Sequence, residues 1–461
     1  MLNINLIYDE LPEGEKRSKT RFVKRTAVRG VIYDKDCLLM VQTKLGDYRF
    51  PGGGVQENET HEQALLREIA EETGYVDVTV CSCMGTAFEQ NIDWYEGDAY
   101  FQMCSYYYIC RLNSDRRVQD MAGYGRQNFS CKQEKYERQM QYCGVKVRAR
   151  EAYETNALIR KEAWEKSRAA GSRYLPKELD GLDRETEALS VIKELWLGKI
   201  IAQVYGCGQQ MKQAVQNTLT VDKKAGKANF VTSCDKKIQE ELKKRLREAV
   251  PEAVFVGEEE KEHASPAKGY AFIVDPIDGT TNFMKDYHAS SISVGLTLDG
   301  KRIAGVVYNP YLEEMFYAQK GMGAYCNGKA IHVSKEPLEN GLVIFGTAPY
   351  YEEYARLSFD LAYECFSRAL DVRRSGSAAL DLCNVAAGRA ELYFECVLCP
   401  WDFVAGALIV EEAGGCVCTL EGEELLLEEK CSVLASNGCE TVFLREIFQT
   451  QKEKEKGEQA I

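Results

Sequence analysis

The alternation of apolar and polar residues predicts a chain of short strands and helices. Residues 26–33 and 37–43 are apolar runs on either side of a polar turn, which is typical of a hairpin. A helical pattern spans residues 60–73 and is stopped by Gly74. Further along this half, the pattern predicts strands at 76–83, 100–112 and 145–147, and helices at 151–164 and 182–195.

The second half of the chain also contains apolar residues at both the helical and the strand spacing. Amphipathic helices are predicted at 200–215 and 235–250, the second one capped by Asp235. An apolar run at 271–274 is typical of a buried strand, and it leads into a turn stiffened by Pro276. Beyond this turn we expect strands at 291–298, 303–308 and 342–347, and helices at 352–369 and 378–387.

Length and composition indicate how many domains to expect. A chain of 461 residues is too long for one core, so two or three domains are predicted. No Pro- or Ser-rich linker separates them. We place a first domain at 1–196 with a polar insertion or lid at about 114–144, a second domain at 197–450 and a frayed, charged tail at 451–461.

Charge and cysteine content narrow the partners and the compartment. The formal net charge of −13 disfavours nucleic acid and anionic membranes as partners. The first residues lack the pattern of a signal peptide, and no apolar stretch is long enough to cross a bilayer. The 18 cysteines therefore predict reduced thiols in a cytoplasmic protein. We interpret the pair Cys396 and Cys399 as buried thiols, with zinc or redox chemistry as the alternative.

The stretch 273–283 carries the densest chemistry. Asp275 and Asp278 stand three residues apart and are followed by Gly279 and Thr280. We expect Asp278 to cap a helix whose free N–H groups attract anions, while the carboxylates attract divalent cations. This combination suits a phosphate bridged by metal ions. An Asx-turn with an N-cap would explain one Asp and the Gly without any ligand.

Other acids of the second half extend this picture. Glu258 follows an apolar strand, and Asp402 begins another helical pattern. Carboxylates within ~4 Å of each other cost on the order of a few kcal/mol per pair at an effective dielectric near 20, so such a cluster protonates or binds cations. Oxygen ligands favour Mg²⁺ over zinc. None of the four His residues lies in these motifs, which argues against a histidine base.

The order of these motifs resembles that of the inositol monophosphatase family over about the last 260 residues. The resemblance implies a layered αβαβα domain that hydrolyses a phosphate monoester with two or more Mg²⁺ ions. It implies that the metal ligands are Glu258, Asp275, the carbonyl of Ile277, Asp278 and Asp402. It further implies that Thr280 and Asp235 are catalytic and activate the attacking water. The implied substrate contacts are Gly279, Thr280, Gly376, Ser377 and Glu395.

The predicted helix at 60–73 carries a second group of acids. Glu68, Glu71 and Glu72 stand at i, i+3 and i+4, so they share one helical face. Uncompensated, they would repel one another, whereas Mg²⁺ would turn them into a clamp for a diphosphate. A solvated acidic face is the alternative explanation.

With their neighbours, these acids resemble the complete box of the Nudix hydrolases, from which only Tyr75 departs. The resemblance implies an α/β/α sandwich that cuts nucleoside diphosphates linked to another group. One or more Mg²⁺ ions would be held by Glu68, Glu71 and Glu72, and Glu72 is also the catalytic candidate. A Nudix-like regulator that binds without cutting is the alternative. The structural positions of the box are Gly53, Glu59, Arg67, which we expect to pair with Glu59, and Gly74.

These observations together predict a two-domain α/β protein that acts as a bifunctional Mg²⁺-dependent hydrolase of small phosphorylated metabolites. Inositol monophosphate is the favoured monoester, and a nucleoside diphosphate-linked compound is the favoured substrate of the first domain. The rival functions are a 3′-phosphoadenosine 5′-phosphate nucleotidase, a sugar bisphosphatase and a non-catalytic metabolite-sensing scaffold. A homodimer is compatible with the sequence.

Overall fold

The computed structural model describes residues 4–9, 21–34, 37–92, 99–114, 117, 144–169, 182–192, 196–214, 220–223, 230–349, 351–439 and 441–458. The chain divides into two compact units, Met1–Ala202 and Gln203–Ile461. This division falls a few residues after the boundary expected at 196/197. Most of the predicted insertion at 114–144 lies outside the described residues.

The first unit is built on a seven-stranded sheet with the order β1-β5-β6-β2-β3-β4, in which β7 pairs with β3. The strands are β1 Ile4–Asp9, β2 Arg21–Asp34, β3 Cys37–Gln42, β4 Tyr48–Arg49, β5 Val78–Ile92, β6 Ala99–Leu112 and β7 Gly144–Arg148. The helices are α1 His61–Thr73, α2 Ala149–Ala169, α3 Leu182–Ile192 and α4 Trp196–Lys212, the last of which runs across the division between the units.

Alternation along β2 explains how helices cover both faces of this sheet. Val28 and Ile32 are buried in a core cluster with Ile69 of α1. Arg29 points to the other face, where it meets Glu185 of α3. Because neighbouring strand residues point to opposite faces, α1 and α3 lie on opposite sides of the sheet. The expected α/β/α sandwich is confirmed.

The second unit contains two larger sheets and a short hairpin. The hairpin is β8 Val221–Lys223 with β9 Phe230–Thr232. The seven-stranded sheet follows chain order: β10 Val254–Gly257, β11 Tyr270–Asp278, β12 Ser291–Leu298, β13 Lys301–Asn309, β14 Glu314–Gln319, β15 Ala324–Cys326 and β16 Lys329–Ile331. The five-stranded sheet has the order β18-β17-β19-β21-β20, with β17 Leu342–Phe345, β18 Asp371–Arg373, β19 Leu392–Leu398, β20 Cys416–Cys418 and β21 Cys431–Ser436.

Helices alternate with these sheets as layers. They are α5 Ser233–Ala249, α6 Thr280–Met284, α7 Glu352–Phe366, α8 Ala378–Ala386, α9 Pro400–Glu412 and α10 Val442–Glu458. Helices α8 and α9 share a core with both sheets, whereas α7 and α10 pack on the outer face of the smaller sheet. A helix between two sheets must be apolar all round, which explains why α9 buries nine of its residues. The expected αβαβα arrangement is confirmed.

The C-terminal helix differs from the predicted tail. Helix α10 continues to Glu458, so most of the stretch expected to fray has a helical backbone. Leu444 and Phe448 anchor the preceding turns in the core beside α7, and helix formation propagates from such an anchor. None of the helices in the described part of the chain combines the length and apolar character needed to cross a bilayer.

Candidate active sites

A cavity of about 600 Å³ in the second unit collects most of the residues predicted for the phosphatase site. They come from segments more than a hundred positions apart in the chain. The predicted residues in its wall are Glu258, Asp275, Ile277, Asp278, Gly279, Thr280, Glu395 and Asp402. The structure therefore brings the whole predicted metal-ligand set to one cavity.

The end of β11 positions the two central acids. Between Asp275 and Asp278 the pairing with β12 is irregular, so the backbone there departs from the regular ladder. Asp275 Oδ1 accepts a hydrogen bond from the Ile277 N–H at 2.9 Å, which folds this carboxylate over the turn. Glu258 follows the neighbouring β10, and its N–H donates to the Val274 carbonyl at 3.1 Å. The two parallel strands thus deliver three acids to one edge.

The sequence analysis was wrong about the helix cap at Asp278. Gly279, with φ of 85°, occupies the N-cap of α6, where no side chain caps the helix. Asp278 Oδ2 instead accepts hydrogen bonds from the Ser377 hydroxyl and from the Ala379 N–H at 2.9 Å. The first N–H groups of α8 lack partners within their own helix, so they compete for this carboxylate. Asp278 therefore ties the β11 turn to α8.

Asp402 approaches the cavity from α9. It occupies the third helical position, and its Oδ2 accepts a hydrogen bond from the Cys399 N–H at 2.7 Å. Pro400 begins the helix, where its missing N–H costs nothing. This reciprocal cap holds the carboxylate in the cavity wall.

Burial and mutual repulsion control the charges of these acids. Burial raises the pKa of Asp275 well above its usual value, and the charges of Glu258 and Asp278 raise it further. Burial and the charge of Glu258 raise the pKa of Asp402 in the same way. Burial also raises the pKa of Asp278 to about 6, although its hydrogen bonds favour the charged form. The cluster therefore takes up protons unless cations balance it.

Thr280 and Asp235 form the predicted catalytic pair. Thr280 Oγ1 lies 3.2 Å from Asp235 Oδ1 and 3.1 Å from the Ile277 carbonyl. Burial raises the pKa of Asp235. The expectation that Asp235 caps α5 was wrong, because Thr232 is the N-cap and Asp235 accepts the Thr232 N–H at 2.9 Å. In such a capping box the acid stands three residues after the cap.

The predicted substrate contacts divide into two groups. Glu395 lines the cavity and accepts hydrogen bonds from the Tyr393 hydroxyl and the Ala348 N–H, both at 2.8 Å. Burial raises the pKa of Glu395. Gly376 and Ser377 are not among the described residues in the cavity wall. Ser377 reaches the site only through its bond to Asp278.

The carboxylates of this cavity offer oxygen ligands and largely uncompensated negative charge, which is the chemistry that Mg²⁺ prefers. In their present arrangement, however, no group of three or more His, Cys, Asp or Glu side chains among the described residues could hold a metal ion. Mg²⁺ is commonly held by only one or two carboxylates together with waters and substrate oxygens, so three converging side chains are not a condition for binding. Metal ligation by the set in this wall stays a prediction.

The sequence analysis missed Lys430. This residue lines the same cavity and donates a hydrogen bond to the Tyr351 hydroxyl. That bond, together with the nearby charge of Asp402, raises the pKa of Lys430. Lys430 stands in an acidic loop before β21 without a motif around it, so no local signal marked it.

The Nudix-like box of the first unit lies on α1. Thr60 and Gln63 form a capping box at the start of this helix, and Gly74, with φ of 78°, ends it. The expected ion pair is present: Arg67 Nε donates to Glu59 Oε1 at 2.8 Å, and Arg67 Nη2 donates to Glu59 Oε2 at 2.9 Å. This two-point contact holds the loop that precedes the helix.

The three acids of α1 have different surroundings. Glu68 accepts from Arg67 Nη1 at 2.6 Å, and Glu71 lies 3.8 Å from the same nitrogen. Glu72 Oε2 accepts the Gly52 N–H at 2.8 Å, and burial raises the pKa of Glu72 to about 7. The buried acid thus anchors the glycine loop to the helix.

A cavity of about 780 Å³ adjoins this loop, and Glu68 and Glu72 line it. A Cβ at Gly53 would lie 2.5 Å from Glu68 Oε1, so a larger residue there would force the Glu68 carboxylate to move. The cavity wall also carries five cations that the sequence analysis missed: Arg25, Arg29, Lys44, Arg49 and Arg184. Arg25 and Arg29 lie at i and i+4 on β2, and this period of two was a usable signal.

Comparisons with known proteins match both units. The inositol monophosphatase family matches residues 194–455, and the NUDIX domain matches residues 23–128. The folds and both matches define a phosphohydrolase. The chain belongs to the inositol monophosphatase family and carries a NUDIX domain in its first half.

Individual relatives support the same assignment. The chain is 37% identical to inositol monophosphatase 2 of Saccharomyces cerevisiae over 240 residues, which are 49% of this chain and 82% of that protein. It is 34% identical to inositol-1-monophosphatase of Bacillus subtilis over 233 residues, 50% of this chain and 87% of that protein. Other relatives bear the name Nus factor SuhB. The crystal structure of extragenic suppressor protein suhB from Bartonella henselae has a TM-score of 0.51 and 32% identity, covering 54% of this chain and 97% of that one.

Proposed function

We propose that the chain is a bifunctional Mg²⁺-dependent phosphohydrolase whose second unit hydrolyses a phosphate monoester. The observation that carries this proposal is the cavity in which the four carboxylates predicted as metal ligands, those of Glu258, Asp275, Asp278 and Asp402, lie together with Thr280. Inositol monophosphate is the favoured substrate, because relatives named inositol monophosphatases match most of their own length. In this proposal the carboxylates, the Ile277 carbonyl and two or more Mg²⁺ ions form the phosphate site.

Bound Mg²⁺ supplies positive charge that polarises the P–O bonds of the ester. The chain itself handles the proton of the attacking water. Thr280 Oγ1 accepts a hydrogen bond from this water while it donates to Asp235 Oδ1. As the water oxygen bonds to phosphorus, the water proton passes to Thr280 and the Thr280 proton passes to Asp235. The ester P–O bond breaks, and the alcohol oxygen leaves with its bonding electrons and takes a proton from solvent water. The raised pKa of Asp235 makes its carboxylate a better acceptor.

Glu395 is proposed to select the alcohol part of the substrate. Its side chain lines the cavity, where hydrogen bonds from Tyr393 and Ala348 hold it in place. A buried carboxyl of this kind suits a hydroxyl-rich ring such as inositol. The competing substrates are 3′-phosphoadenosine 5′-phosphate and a sugar bisphosphate.

For the first unit we propose hydrolysis of a nucleoside diphosphate linked to another group. Glu68, Glu71 and Glu72 would hold one or more Mg²⁺ ions, whose charge offsets that of the diphosphate. Glu72 lies against the glycine loop through its bond to the Gly52 N–H. A substrate lying on this loop would therefore lie beside the acids of α1.

Assays with one site inactivated at a time test both activities. Inositol 1-phosphate, 3′-phosphoadenosine 5′-phosphate, fructose bisphosphate and ADP-ribose are offered with Mg²⁺ to the wild type, to Asp275→Asn and to Glu72→Gln. We expect Asp275→Asn to lose only phosphate release from monoesters and Glu72→Gln to lose only cleavage of ADP-ribose. Binding of a monoester without any Mg²⁺-dependent phosphate release would favour the scaffold and overturn the phosphatase proposal.

The two activities are proposed to act in sequence, because they are joined in one chain. The first unit would cut a diphosphate and release a phosphate monoester that the second unit hydrolyses. Product analysis with the same two variants tests this order: Asp275→Asn should accumulate the monoester. Use of unrelated substrates by the two units would refute the relay.

Partners other than small phosphorylated metabolites stay predictions. A homodimer is proposed only as compatible with the sequence. Since some relatives are named as Nus factors rather than as phosphatases, the predicted lack of a nucleic-acid partner needs its own binding measurement.

A further inference from the structure

The cavity of the first unit is lined by more cations than acids. Among the described residues, its wall contains five Arg and Lys side chains and three acids, Glu68, Glu72 and Glu185. Several of these cations already have carboxylate partners. Arg49, for example, lies 2.9 Å from the buried Asp47. The cations without such partners therefore indicate what else the cavity binds.

Arg184 and Arg29 form the inner part of this wall. Arg184 is 6% exposed; its Nη1 donates to Glu89 at 2.5 Å and its Nη2 donates to Glu185 at 3.3 Å. Arg29 Nη1 donates to the Gly52 carbonyl. The Nε atoms of both arginines are buried and lack a hydrogen-bond partner in the described part of the chain, but Arg29 Nε lies 3.7 Å from Glu185 Oε1 in an ion pair. A buried donor without a partner is costly, so the Arg184 Nε–H calls for an acceptor from a ligand.

Arg25 and Lys44 form the outer part of the wall. Both are exposed, and neither is paired with a carboxylate among the described residues. A Cβ at Gly54 would lie 3.5 Å from Arg25 Nε, whereas a Cβ at Gly53 would meet Glu68. Arg25 thus stands one residue along the glycine loop from the acids proposed to hold the diphosphate.

The apolar part of the wall argues against recognition by base stacking. Phe50 is the one aromatic among the described residues that line the cavity, and it is 1% exposed. Its ring meets Tyr107 edge-on, at 5.7 Å between centroids. No open ring face is therefore presented to a ligand by these residues, whereas cationic groups are.

We propose that this cavity binds a diphosphate that carries a further phosphate group, and that Arg25 and Lys44 hold this additional group. Two cations without carboxylate partners match the charge of a phosphate group, about −2 at neutral pH. Arg184 would donate its Nε–H to an oxygen deeper in the cavity. The inference rests on the proposed diphosphate hydrolysis and names its substrate class more closely.

Binding of two uncleavable analogues tests the proposal. Methylenediphosphonate and bis(methylene)triphosphonate differ by one phosphonate group, and the titrations are made with Mg²⁺ on the full chain carrying Asp275→Asn, which silences the other anion site. We expect the triphosphonate to bind at least about tenfold more tightly, since each pair of opposite charges at ~4 Å contributes about a kcal/mol or more. Arg25→Gln and Lys44→Gln should each reduce this preference at least about fivefold and leave methylenediphosphonate within about twofold.

Lys24→Gln is the matched control. Lys24 is exposed like Arg25 but precedes it on β2 and therefore points to the other face of the strand. This variant removes the same charge and should keep the preference. Equal affinity for the two analogues, or equal losses in Arg25→Gln and Lys24→Gln, would overturn the proposal, because a diffuse field and not a site would then explain the binding.

A turnover measurement separates this inference from the function on which it rests. ADP-ribose and its 2′-phosphate derivative are compared by kcat/KM, and Arg25→Gln should lower the ratio in favour of the phosphorylated compound. A wild type that cleaves neither compound but keeps the Arg25-dependent preference for the triphosphonate would sink the hydrolase function and support the phosphate subsite. A wild type that cleaves both equally, with no preference in binding, would do the reverse.

Discussion

The acids of the two cavities have different neighbours. In the first unit, acids meet arginines: Arg67 holds Glu59 and Glu68, and Arg184 holds Glu185. In the second unit, the described neighbours of Asp275 that shift its pKa are other carboxylates. Five Arg and Lys side chains therefore line one cavity, whereas Lys430 is the one Lys or Arg beside six carboxylates among the described residues of the other wall. Most of the compensating charge of the second cavity must come from bound ions.

This difference indicates which groups give each site its affinity for phosphate. A wall of arginines attracts an anion before any metal is bound, and a cluster of carboxylates repels it until cations arrive. Hence the first unit is expected to discriminate among anions through its side chains. The second is expected to depend on Mg²⁺ for almost all of its phosphate binding.

Removal of Mg²⁺ should reveal the largest difference between the two sites. With EDTA, we expect the affinity of the second unit for inorganic phosphate to fall by about 10³-fold or more, because uncompensated carboxylates at ~4 Å repel the anion by several kcal/mol in sum. The first unit should lose only about tenfold in affinity for methylenediphosphonate, since its arginines remain. Titration calorimetry on Glu72→Gln and Asp275→Asn, respectively, isolates each site. Equal losses at the two sites would contradict the comparison.

Loss of the Thr280–Asp235 pair should have the next largest effect, a decrease in the rate of monoester hydrolysis by the second unit alone. Asp235→Asn is expected to lower kcat for monoester hydrolysis by about 10²-fold with little change in KM, because it removes the proton acceptor but not the phosphate site. Thr280→Ser keeps the hydroxyl and serves as the control, with a loss of a few-fold at most. Steady-state kinetics would show the idea to be wrong if KM rose while kcat stayed constant.

Metal-free stability should reveal the cost of burying the charged form of Asp278 in the second cavity. The pKa of Asp278 is raised from 3.8 to about 6, so the native state retains a proton that the unfolded chain releases between these values. Stability from this group is present below the unfolded pKa and is lost as pH rises through the folded one. In EDTA, Asp278→Asn should therefore gain on the order of 2 kcal/mol relative to wild type between about pH 4 and pH 7, measured by urea unfolding.

An exposed acid provides the reference for that measurement. Asp286→Asn changes a side chain that is 64% exposed, so its stability difference from wild type should vary much less over this pH range than that of Asp278→Asn. A parallel change in both variants would mean that net charge, and not the buried cluster, causes the effect.

The smallest effect is expected on the unfolding free energy when the ion pair between Glu59 and Arg67 in the first unit is weakened. Glu59→Gln weakens the two-point contact with Arg67, whose side chain is 17% exposed, and should cost about 1 kcal/mol of unfolding free energy. Glu364→Gln disrupts the pair between Glu364 of α7 and Arg368 just beyond it, whose side chains are 37% and 43% exposed, and should change stability by less than about 0.5 kcal/mol. Equal costs in thermal or urea unfolding would remove the distinction between the two pairs.

Local signals were enough for much of the fold. Gly74 ends α1 as expected, whereas Thr60, which was predicted to lie in the helix, is its N-cap. The same reasoning failed at Asp278 and Asp235, because several acids and hydroxyls near a helix start compete for the same N–H groups. Lys430 and Arg184 carried no motif, and only their neighbours in space reveal them.

The sequence by itself determined the periods of the strands and helices, the box on α1 and the identity of the acids that could hold cations. These features depend on contacts between residues close together in the chain. Only the tertiary structure decided that Asp278 bonds to α8, that Asp402 shares a cavity with Asp275, and that arginines from β2 and α3 line one wall. Such groupings join residues many positions apart. They depend on how the layers pack, which no local pattern contains.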